Sequence, residues 1–203
     1  MLSHFDYASL QTLTGNVPDA VEHYVLAVSL IDEDLAQSNP LPRRHGDRGL
    51  ALLSLGILLR DNGAHSDARP VLDGAIESQR RALEFDATNA TWNAALFNQL
   101  WTRALVHLEL GEYELCANDA RAIHAHVGTD IDGRRVAVGL LARAANGTET
   151  PAQQHAWSDE SLVWLRELVD AGWGRREDLE NFAFDALRDD PRFEAIRDSL
   201  IKP

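Results

Sequence analysis

The side chains best suited to chemistry in this chain of 203 residues are one cysteine, Cys116, a histidine pair, His124 and His126, and two acidic runs. A cysteine nucleophile needs a lowered pKa and a partially exposed, electropositive setting. Cys116 instead stands where two similar segments carry alanine, Ala20 and Ala68, and reads as a small buried side chain. His124 and His126 are alternate residues on a predicted helix, so they point about 200° apart and cannot close on one ion. Asp130-Ile131-Asp132-Gly133 opens like a calcium loop, but Arg134 and Arg135 follow and no glutamate stands at the required distance, which leaves helix capping. Asp32-Glu33-Asp34 falls late in a predicted helix and reads as a solvated face. The chain has no HExxH, no Gly-rich loop, no HRD and no DFG. No catalytic group, cofactor or metal site is expected.

Charge and composition narrow the partners. A formal net charge of −13 opposes attraction to phosphate backbones or anionic lipid, so neither nucleic acid nor membrane is an expected partner. The first residues lack a basic start with an apolar run, and no stretch nears 18 uninterrupted apolar residues. With a single cysteine and no export signal the expected location is the cytoplasm, and the Asn89 and Asn146 glycosylation patterns are expected to be silent. Of the 19 basic residues only Lys202 is lysine, which a GC-rich genome explains as well as any need for guanidinium contacts.

The elements that hold these residues follow from composition and repetition. The chain has 29 Leu and 28 Ala against 7 Ile and 11 Val, a bias toward residues that lose little freedom in helices. Three segments align without a gap, starting at Tyr7, Leu55 and Arg103, and their glycines Gly15, Gly63 and Gly111 are 48 residues apart both times. Seven residues before each glycine stands Ala8, Gly56 or Ala104; five after stands Ala20, Ala68 or Cys116; twelve after stands Ala27, Ala75 or Ile123. This pattern predicts two antiparallel helices per unit, joined at a left-handed glycine and packed through small residues. Asn16-Val17-Pro18-Asp19 supplies an N-cap, a first-turn proline and an early carboxylate for one such helix.

The units span about 1–40, 41–88 and 89–130, and a short fourth starts near 131, punctuated by Gly147 and followed by a loop over TETPAQQHAW. Residues 148–203 then supply the second helix of the last unit, from an N-cap at Ser158 through Leu162, Trp164, Leu165, Leu168 and Val169, and a helical cap over the apolar end. Asp190-Pro191 marks a helix start within that cap, and the tail is expected to fold over Trp173.

The spacing in SLGILLRDNGAHSDARPVLDGAI resembles the tetratricopeptide repeat, with a unit of 48 in place of the usual period of about 34 residues. Long units of this kind resemble those in the C-terminal regions of planctomycete-type bacterial serine/threonine kinases. PLPRRHGDRGLALLSLGILLRDNG is similar to that family's entry into a unit. Leu187, Asp190, Pro191 and Phe193, in LVWLRELVDAGW…FDALRDDPRFEAI, match its C-terminal ending. The resemblance implies an all-α, right-handed solenoid of antiparallel helix pairs with a C-terminal helical cap. It further implies a protein or peptide interaction module, here without a kinase domain of its own. The alternatives are a structural or oligomerisation arm, or part of an enzyme with its site between repeats; the oligomeric state is open.

In that family the first helix of each unit lines the binding face. Helical steps along it give Leu53, Ile57 and Arg60, then Asn98, Trp101, Leu105 and Leu108, then Arg134 and Leu141. With Leu53, Ile57 and Leu105 expected in the core between repeats, the expected peptide contacts are Arg60, Asn98, Trp101, Leu108 and Arg134. The face lacks the lysine and asparagine cluster that clamps a C-terminal carboxylate in chaperone-binding relatives.

Overall fold

The computed structural model describes residues 3–37, 41–174, 176–180 and 182–200. Pro40 of the unit-entry motif, and Ile201, Lys202 and Pro203, lie outside them. The described residues are helical with no strand: α1 (His4–Thr14), α2 (Val17–Leu35), α3 (Arg43–Asp61), α4 (His65–Phe85), α5 (Ala90–Glu109), α6 (Tyr113–Val127), α7 (Ile131–Gly147), α8 (Pro151–Asp170), two short 3-10 helices (Arg176–Glu180 and Phe182–Leu187) and α9 (Pro191–Ser199). They form two compact units, Met1–Val106 and His107–Pro203, whose boundary falls inside α5.

The repeat positions take the roles their spacing predicts. Gly15, Gly63 and Gly111 have φ of 76°, 76° and 72°, a left-handed conformation that is cheap only without a Cβ. Each ends one helix just before the next begins, at α1–α2, α3–α4 and α5–α6. The small residues Ala8, Ala20, Ala27, Ala68, Ala75, Ala104 and Cys116 are all buried, as are Gly56 and the larger Ile123. A Cβ on Gly56 would come within 2.6 Å of Leu72, so α3 and α4 are closer there than any side chain would allow.

In the first unit α1, α2 and α3 share a cluster built from Ala8, Ala20, Tyr24, Leu55 and Leu58. Arg48 and Arg44 of α3 reach back to α2 through ion pairs to Asp32 (2.6 Å) and Asp34 (2.7 Å), so two members of that acidic run are engaged. Between α3, α4 and α5, Gln99 donates to the Gly49 carbonyl at 3.0 Å beside the buried Gln79.

In the second unit α7 packs on both α6 and α8, and the tail closes over them. Leu162, Leu165, Leu168 and Trp173 join Leu179, Phe184, Leu187, Phe193 and Ile196 in one cluster with Val138 and Ala142. Asp190 caps α9 by accepting from the Arg192 amide at 2.8 Å, with Pro191 at the first helical position. Arg192 lies against the same carboxylate and holds it below the usual range.

Two expectations are corrected here. The loop expected over TETPAQQHAW is confined to Thr148, Glu149 and Thr150: α8 begins at Pro151, with Thr150 as its N-cap, because proline is well suited to a first helical turn and nothing after it breaks the helix. Ser158 therefore lies inside α8, and Trp157 is buried. Gly147 is not a left-handed turn; it is the last residue of α7, and a Cβ there would land in the ring of Tyr113. Close approach, not turn geometry, is what requires glycine at this position.

Candidate functional site

Two large aromatics of the repeat frame are exposed, Phe85 at the end of α4, which stacks on His45, and Trp101 on α5. This helix buries Ala95, Leu96, Gln99, Leu100 and Ala104 and turns Asn98 and Trp101 outward. Trp101 is 39% exposed, large for an indole in a helix interior. Phe97, one turn earlier, tilts against it with ring centroids 6.0 Å apart and planes at 42°. Sequence reasoning missed Phe97, although its spacing of four from Trp101 places it on the same face. Arg103 is tied to Asp73 of α4 at 2.7 Å, which anchors this stretch of α5 within the first unit.

The other expected contacts are distributed differently. Arg60, near the end of α3, donates from both Nε (2.9 Å) and a terminal nitrogen (2.6 Å) to its neighbour Asp61. Leu108 is half-buried and belongs to the second unit, as does Arg134. Arg134 donates through Nε to the Gly128 carbonyl, so it serves the α6–α7 turn. Leu53 is buried, in line with a core role, while Ile57 and Leu105 are half-buried. Leu141 is fully buried in α7 and is corrected from a face position to a core one. The structure thus brings Asn98 and Trp101 together on one helix face and gives Arg60 and Arg134 local partners.

A polar cluster around a buried histidine at the α5–α6 turn was not anticipated. His107, 4% exposed, lies 2.7 Å from Glu112 through Nδ1 and 3.7 Å from Asp119 through Nε2. One repeat earlier the same positions hold Leu59 and Val71, both packed on the apolar cluster of the first unit. That substitution of an apolar pair by a polar one was the readable signal. The nearby Cys116 has no catalytic character: burial, with a contribution from Asp119, pushes its thiol up to about 12, and Sγ faces the Leu140 carbonyl at 3.8 Å. A thiol so protonated at neutral pH is not a nucleophile.

His124 stacks on Trp164, centroids 4.0 Å apart and planes within 6°, and burial there lowers its pKa, with Arg134 adding to the effect. Trp164 is accordingly half-buried, packed at the edge of the tail cluster. Asp130 accepts from the Gly133 amide at 3.0 Å, the capping role its sequence suggested. Among the described residues no group of three or more His, Cys, Asp or Glu is placed to hold a metal ion. Comparison with protein-family models, with curated proteins and with solved structures finds no match for this chain.

Proposed function

We propose that the chain is a protein or peptide interaction module of the tetratricopeptide type, its helix pairs forming a right-handed solenoid, and that it serves as the regulatory region of a bacterial serine/threonine kinase or a related signalling protein. The observation that carries this reading is the exposed Trp101, placed with Phe97 and Asn98 on the outward face of a helix whose other side is buried. An aromatic of this size left in water is a typical anchor for a ligand side chain, and the Asn98 amide beside it supplies both a donor and an acceptor for a peptide backbone. The matched left-handed glycines and small residues support the repeat assignment.

The test is to select peptides from a display library on the full chain and to measure their affinity for the wild type and for Trp101→Ala. A hot-spot tryptophan is worth about 2 kcal/mol or more, so the substitution should weaken binding at least about tenfold at an unchanged melting temperature. Selected peptides that bind both forms equally would remove this face from consideration.

A further inference from the structure

The first helix pair brings two imidazoles together. Ala8 of α1 and Ala20 of α2, both fully buried, let the two helices approach closely, so the first turn of α1 lies beside the second turn of α2. There His4 Nδ1 stands 2.8 Å from His23 Nδ1, with the ring planes within 22° of each other. The two residues are 19 positions apart, so no local spacing announces the pair. Shifted by 48 residues, the same positions hold Leu52, which is buried, and Val71, which packs on the apolar cluster of the first unit. Where the next repeat carries two apolar side chains, this one carries two facing nitrogens.

Both rings are held by ordered surroundings. His4 follows the N-cap of α1, which is fixed by a capping box: the Ser3 side chain accepts from the Asp6 amide while the Asp6 carboxylate accepts from the Ser3 amide. His23 meets the Tyr7 ring edge to face, centroids 4.3 Å apart and planes at 61°. The next residue, Tyr24, is buried and stands edge-on to Phe5 at 5.7 Å, which fixes this turn of α2 on α1. His4 is exposed and His23 half-buried.

Two neutral imidazoles can share such a gap in two ways. With one proton between them, one Nδ1–H donates to the other Nδ1; with both protons carried on Nε2, both Nδ1 lone pairs are free for an ion. Nitrogens bound to one zinc ion at about 2.0–2.1 Å stand roughly 2.8–3.4 Å apart for angles of about 90–109° at the metal, so the observed 2.8 Å is already within the bite of a single ion. A modest rotation of each ring about its Cβ–Cγ bond turns the facing lone pairs onto one point. Imidazole nitrogen suits zinc, copper and nickel, whereas magnesium and calcium take oxygen. The local charge favours a cation as well, because residues 1–42 contain six carboxylates and no lysine or arginine. We propose that His4 and His23 form a binding site for a divalent transition-metal ion such as zinc or nickel, with water completing the coordination, and that the bound ion clips α1 to α2. The site uses none of the α5 face and stands independently of the function proposed above.

The experiment is calorimetric titration of the full chain with zinc chloride, nickel chloride and magnesium chloride, for the wild type, His4→Gln and His23→Gln, with thermal unfolding alongside. The wild type should take up one zinc or nickel ion at this site and no magnesium, and either substitution should weaken that uptake at least about tenfold. Zinc should raise the melting temperature of the wild type and leave that of both variants unchanged. His4 is exposed, so His4→Gln keeps the metal-free melting temperature and decides the matter should His23→Gln fold poorly. In imidazole nitrogen NMR, zinc should move the Nδ1 signals of both His4 and His23. No zinc uptake, or uptake indifferent to either substitution, would overturn the proposal. So would zinc shifts confined to the other six of the eight histidines, or to only one member of this pair.

Discussion

The first helix pair and the last one treat the same problem in opposite ways. Along α8 the apolar row Leu162, Leu165 and Leu168 is covered by Phe184, Leu187, Phe193 and Ile196, and each of these seven residues is at most 4% exposed. Along α2 the comparable row Leu26, Leu30 and Ile31 has no corresponding cover among the described residues, and Leu26 and Leu30 are 39% and 50% exposed. A helix face of similar apolar character thus becomes core or surface depending on whether the chain supplies a second layer. The tail does so with 3-10 turns and one short helix, elements with little intrinsic stability, so burial rather than helix propensity holds them.

The largest expected effect breaks that contrast outright. A chain ending at Gly174 loses the whole cover of α8, and light scattering should show aggregation from the exposed Leu162 and Leu165; a monomer with unchanged melting would show that the tail is no cap. On a finer scale, Phe193→Ala should cost about 3–5 kcal/mol in urea unfolding because it empties a fully buried site, while Leu30→Ala should stay within about 0.5 kcal/mol. Equal losses would mean that Leu30 is buried in solution.

A second contrast lies between repeats at one pair of positions, Leu59 with Val71 against His107 with Asp119. Asp119→Val alone removes a buried polar neighbour of His107 and should destabilise the fold by about 3 kcal/mol, whereas the double substitution His107→Leu with Asp119→Val, which restores the apolar pair of the earlier repeat, should cost less than Asp119→Val alone. Additive losses in that cycle would show that the two side chains do not act as a pair.

The smallest effect is electrostatic. Burial against Trp164 holds the His124 pKa below the ordinary imidazole value, so the unfolded chain takes up its proton first as pH falls. His124 therefore contributes stability that is full above about pH 6.5 and is lost as pH falls from there toward its folded value. Melting of His124→Gln should lose this part of the acid slope; an unchanged slope would assign it to other groups.

Much of the fold was legible because its signals are local. A left-handed glycine every 48 residues and small residues at fixed offsets specify where helices turn and touch, and Asp190-Pro191 announces α9. Gly147 and TETPAQQHAW misled for a physical reason. A glycine needed for contact with Tyr113 looks in sequence like a glycine needed for a turn, and a proline that begins a helix looks like one that interrupts it. The exposure of the candidate face was legible in part. The helical register of α5 turned Asn98 and Trp101 outward as expected, whereas the Gly128 carbonyl that holds Arg134 is a backbone atom that no sequence pattern displays.

The most direct measurement of the central claim is amide hydrogen exchange on the full chain with and without a display-selected peptide. A binding face on α5 predicts slowed exchange over residues 94–105, and the loss of that slowing in Trp101→Ala. Slowed exchange confined to other helices, or unaltered by Trp101→Ala, would contradict it.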